Sequence, residues 1–72
     1  MQKHHALGFI KVTTPSDDTF YVRASKIDAV LQQKNADNGV NAHIAVGGGT
    51  FMVKNQPGAI ISQIEEVPPE LR

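Results

Sequence analysis

Ala42-His43-Ile44-Ala45-Val46-Gly47-Gly48-Gly49-Thr50-Phe51-Met52-Val53-Lys54 contains two alternating apolar–polar runs joined by three glycines. Ala42, Ile44 and Val46 share one face of the first run, and Phe51 and Val53 share one face of the second, the period of two expected of half-buried strands. Glycine enters positive φ without a Cβ clash, so the three glycines close a tight hairpin. A phosphate-cradling glycine loop is followed by a helix start, whereas here a strand follows.

The same alternation extends outward. Gly8 to Thr14 reads as a strand with Ile10 and Val12 inward. Pro15-Ser16-Asp17-Asp18 is a polar turn in which Pro pre-sets φ. Thr19 to Ala24 returns as a second strand with Phe20 and Val22 inward. Ser25 to Lys34 fits two periods: a strand placing Ile27, Ala29 and Leu31 inward, or a helix with Ile27, Val30 and Leu31 as its stripe and Ser25 and Asp28 as a capping pair. Asn35 to Gly39 reads as an exposed loop. Asn55 caps and Pro57 begins a helix whose stripe is Ile60, Ile64 and Val67, widened by Ile61, before Pro68-Pro69 stops it.

The chain has 72 residues, no cysteine and no tryptophan. One small domain follows, over 8–67, with a flexible segment at 1–7 and a tail at 68–72. Disulfides cannot staple it, and without thiolates no structural metal or other cofactor is expected. Seven Lys and Arg balance seven Asp and Glu, which argues against avid, sequence-independent nucleic-acid binding. The balance is uneven: residues 1–54 carry six basic and four acidic side chains, and 55–72 carry one and three. No signal-peptide or membrane-spanning run is present, so a cytoplasmic protein is expected.

Ile10-Lys11-Val12-Thr13, Phe20 and Val22, Ile27-Asp28, the series Ile44, Val46, Gly49 and Val53, and the stretch Ile60 to Val67 together resemble the small bacterial FlbD-type proteins associated with flagellar operons. More broadly, short strands in so few residues resemble the Sm-like and SH3-like small barrels. Gly47-Gly48-Gly49 stands near the second signature turn of the Sm pattern but lacks its Arg. The resemblance implies a mainly β fold: a small barrel or strongly bent antiparallel sheet closed by a short C-terminal helix. The alternative is an α+β fold with a second helix at 26–34.

No catalytic constellation is legible, so a non-enzymatic binding module is expected. His4 and His5 are adjacent and point opposite ways in an extended segment, and His43 faces solvent. Asp17-Asp18 reads as a solvated turn. The outward-facing Lys11, Tyr21, Arg23 and Lys54 are the candidate ligand-binding residues, a weakly basic patch with one aromatic ring. Such a patch suits single-stranded RNA or DNA, where a ring stacks on a base and cations follow the backbone. It equally suits an acidic protein surface, as in an interaction or regulatory adaptor. Phe9, Val30 and Met52 are apolar residues left outside the inward alternation. A small domain with open strand edges hides or pairs them, so a homo-oligomer is expected with these three at its interface.

Overall fold

The computed structural model describes residues 3–72. Five strands follow a helical turn: α1 (Lys3–Ala6), β1 (Phe9–Thr13), β2 (Thr19–Arg23), β3 (Ile27–Asp37), β4 (Val40–Val46), β5 (Gly49–Val53), then α2 (Pro57–Glu66). Short 3-10 turns at Ala24–Lys26 and Pro69–Leu71 complete the order. The fold is mainly β, as the alternation implied. The strands form two antiparallel sheets, β1-β2 and β3-β4-β5, rather than one closed barrel. They meet at one corner, where the Lys54 N–H donates to the Thr13 carbonyl at 2.8 Å.

Turn chemistry sets each hairpin. Thr14 accepts from the Asp17 amide at 2.9 Å, Asp17 stands at φ 67°, and Thr14 N–H returns to the Asp18 carbonyl at 2.8 Å. Three residues, Pro15 to Asp17, thus close the loop, the last of them left-handed. Gly47 and Gly48 have φ of 53° and 90°, with Val46 paired to Gly49. Two positive φ values in a two-residue loop match the right-handed strand twist. Only two of the three glycines therefore make the turn, and Gly49 opens β5. The same geometry recurs at Asn38 (φ 56°) and Gly39 (φ 81°), between Asp37 and Val40. The loop expected at Asn35 to Gly39 is thus a strand end and a tight Asn-Gly turn.

Residues 27–34 are strand, which excludes the helix alternative at 26–34. The inward set there is also different. Ile27 pairs with Val46 but Ala29 pairs with Ala45, so β3 carries one extra residue at Asp28. A bulge of this kind shifts the alternation by one. Ile27 and Val30 accordingly pack against the core, while Ala29 is exposed and Leu31 is 52% exposed. Val30, expected at an outer interface, belongs to the interior side.

The core consists of Ile10, Val12, Val22, Ala24, Ala42, Ile44 and Val53 from the strands and Ile60 and Val67 from the helical end. Ile64 is half-buried, and Ile61, expected to widen the stripe, is exposed. Phe51 stays half-exposed but lies 5.4 Å from the Phe20 ring across the gap between the sheets. Asn55 does not cap α2. Its Oδ1 accepts from the Thr13 N–H at 2.8 Å, and Gln56 occupies the capping position without a side-chain bond.

Met1 and Gln2, part of the segment expected to be flexible, lie outside the described residues. Lys3–Ala6 form a helical turn in which His5 is buried. Its anchor is Gln63 on α2, whose Oε1 meets His5 Nε2 at 3.0 Å.

Candidate functional site

The side chains of β1 and β2 alternate cleanly. Ile10, Val12 and Val22 are buried, so Phe9, Lys11 and Thr13 turn outward with Tyr21 and Arg23. Lys11 is directly opposite Tyr21, and Phe9 opposite Arg23. Cross-strand neighbours on one face touch, and the Arg23 guanidinium indeed lies 4.9 Å above the centre of the Phe9 ring. That contact desolvates Phe9 in part and fixes the cation on an aromatic face. Tyr21 remains 53% exposed. Three of the four candidate binding residues therefore share one face.

Lys54 does not join them. It follows β5, in the other sheet, and its Nζ lies 2.6 Å from Asp17 Oδ1. Both side chains are largely exposed, so the pair contributes at most about 1 kcal/mol, yet it engages the cation away from Tyr21 and Arg23.

The helical turn α1 lies against this face. The His4 ring is 5.4 Å from the Tyr21 ring and 4.2 Å from the His5 ring. Two cavities result. A polar one of about 340 Å³ is lined by His4, His5, Lys11, Thr13, Asn55 and Gln63. An apolar one of about 300 Å³ is lined by His4, Leu7, Phe9 and Tyr21. His4 belongs to both. Its Nε2 is buried and has no hydrogen-bond partner among the described residues. Desolvation lowers the His4 pKa below its ordinary 6.5, with His5 and Lys11 pushing the same way and the nearby Gln63 amide opposing. No third metal-ligating group joins the two histidines among the described residues.

The far edge of β1 is sealed by side chains. Gln63 Oε1 accepts from the Lys11 N–H at 2.8 Å and Gln63 Nε2 donates to the Lys11 carbonyl at 2.6 Å. At Thr13 the Asn55 Oδ1 accepts from the N–H and the Lys54 backbone N–H donates to the carbonyl. Since Lys11 turns its backbone groups away from β2, its partner Tyr21 turns its own away from β1, as in any non-hydrogen-bonded antiparallel pair. Among the described residues β2 has no second neighbour strand, and they leave its outer edge open. The sequence pattern singles out neither Gln63 on α2 nor His4 in the segment 1–7. Neither role carries a local signal: Gln63 meets His5 and Lys11 more than fifty positions away, and the His4 ring meets Tyr21 on another element.

The expected interface residues separate as well. Phe9 is half-buried under Arg23, and Met52 is 54% exposed on the outer face of β5. Met52 pairs with His43, and His43 with Leu31, forming a row across the sheet. His43 Nε2 meets Gln33 Oε1 at 2.7 Å.

The chain matches no protein-family model, no curated protein and no solved structure. Among the described residues no helix is long and apolar enough to cross a membrane.

Proposed function

We propose that this chain is a non-enzymatic, cytoplasmic binding module of the small-barrel kind. Its ligand is single-stranded nucleic acid, held on the outer face of β1 and β2. The observation that carries this reading is the half-exposed Tyr21 ring with Lys11 opposite it and Arg23 beside it over Phe9. A flat exposed ring offers a stacking platform to any base, and flanking cations follow the phosphates. With two cations on the face, Lys11 and Arg23, binding is modest and salt-sensitive. The barrel reading is supported by the Thr13–Lys54 link between the sheets. The FlbD-type and Sm-like likenesses remain part of the proposal.

Fluorescence anisotropy with a labelled single-stranded oligonucleotide at low salt tests the reading. Tyr21→Ala and Arg23→Ala are each expected to weaken binding several-fold, and raising salt is expected to weaken it further. Absence of binding at millimolar protein would refute it. The open outer edge of β2 favours a second reading, an adaptor that takes an extended peptide as an added strand. A partner recovered independently of nuclease treatment distinguishes it.

We also propose that the chain self-associates. Leu31, Ala45 and Met52 lie on an outer sheet face with no charged residue among Ala29, Leu31, Gln33, Asn41, His43, Ala45, Thr50 and Met52. A second copy can therefore meet the same face without like-charge repulsion.

A further inference from the structure

Among the described residues β3 pairs with β4 alone, so its other edge carries backbone N–H and C=O groups without a strand partner. The far edge of β1 is closed by Gln63 and Asn55, but among the described residues no side chain bonds the backbone of β3. An unpaired edge is a template for an added strand.

A cavity of about 260 Å³ lies between β3 and α2, lined by Ile27, Asp28, Ala29 and Val30 from the strand and Ile61 and Ile64 from the helix. Successive strand side chains point to opposite faces. A cavity touched by four in a row therefore follows an edge of β3, and β4 already occupies the other edge. Five of the six lining residues are apolar, and Ile61 is 46% exposed. The volume falls below the roughly 300–1,000 Å³ of a small-molecule site. It suits the side chains of an extended segment instead.

Charge selects the segment. Asp28 is the one ionisable group in the lining. Glu65 stands one turn past Ile61 on α2, where residues four apart are neighbours. α2 holds no Lys, Arg or His, and Lys26, in the turn ahead of β3, is the nearest cation in sequence to Asp28. An apolar channel flanked by carboxylates is complementary to an apolar run flanked by cations. We propose that this groove takes an extended basic–apolar segment of a partner protein as an added strand on β3. Its apolar side chains lie between Val30 and Ile61, and its Lys or Arg side chains lie toward Asp28 and Glu65. The groove shares no residue with the β1–β2 face or with the open edge of β2, so it is a separate site.

The test titrates the full chain at low salt into three fluorescein-labelled peptides, KKVIVKK, EEVIVEE and KKSTSKK, and follows anisotropy. KKVIVKK is expected to bind about tenfold tighter than either of the others, since one lacks the cations and the other the apolar centre. Ile61→Lys, at an exposed helical position, is expected to weaken KKVIVKK about tenfold with an unchanged circular dichroism spectrum, while Tyr21→Ala leaves it within about twofold. Amide shifts on peptide addition should concentrate in Ile27 to Leu31 and Ile61 to Glu65. Absence of binding at millimolar protein, equal binding of EEVIVEE or KKSTSKK, or shifts centred on Tyr21 and Arg23 would overturn the proposal. The peptide comparison needs no variant. A wild-type dimer that Ile61→Lys converts to single chains would give the groove to a second copy and overturn it as well.

Discussion

The carboxamide of Gln63 lies against the backbone of Lys11 as a strand would, accepting from its N–H at 2.8 Å and donating to its carbonyl at 2.6 Å. One side chain of α2 thereby closes the edge of β1 and, through His5 Nε2 at 3.0 Å, holds α1 on the same hairpin. The β1–β2 hairpin and the two helical elements on it are therefore tied through one side chain.

Gln63→Ala removes all three contacts. Water can reach the Lys11 groups in part, so the cost is expected at about 1–3 kcal/mol. Denaturant unfolding measures it, and Leu7 and Gly8, whose N–H groups donate to Lys3, His4 and His5, should lose amide protection before the strands do. A loss below measurement error would mean the latch is ornamental.

Ile60 is completely buried beneath α2. Ile60→Ala is expected to cost about 2–5 kcal/mol through lost burial and the cavity left behind. In a domain this small that approaches the whole stability, so the variant should be largely unfolded by circular dichroism. Ile61→Ala, one position on but exposed, should be nearly silent.

Much of this architecture is legible in the sequence because it is local. The alternation of Ile10 and Val12 and the glycine hairpin both follow from short-range rules. The β3 face was misread because a single extra residue at Asp28 exchanges Val30 for Leu31, and alternation alone carries no mark of a bulge. The Asn38–Gly39 turn has a local signature, but the polar residues before it read as loop. Alternation alone turns Lys11, Tyr21 and Arg23 outward on one face, as the structure has them. His4 and Gln63 were missed because nothing near them in sequence points to their partners.

Acid should weaken the fold through His4. Its folded pKa is lowered from 6.5, so below that value the unfolded chain binds more protons than the folded one. Stability is therefore full above about pH 6.5 and falls as the pH descends toward the folded pKa. Melting temperatures from pH 7.5 to 5 should show this decline in the wild type, and His4→Phe should flatten it. An unchanged slope in the variant would assign the decline elsewhere.

Self-association should depend on the outer row of the three-stranded sheet. Leu31→Glu and Met52→Glu each place a charge where two identical faces would meet, and both should give a single-chain mass by light scattering. Val30→Glu should instead destabilise the fold, since Val30 packs on the core. A wild-type mass of one chain up to millimolar concentration would remove the oligomer from the account.

Amide chemical-shift mapping during titration with a single-stranded oligonucleotide locates the proposed ligand face. Shifts are expected to concentrate in His4 to Thr13 and Thr19 to Arg23, with the outer face of β3, β4 and β5 unmoved. Shifts concentrated on Leu31, His43 and Met52 instead, or none at saturating oligonucleotide, would contradict it.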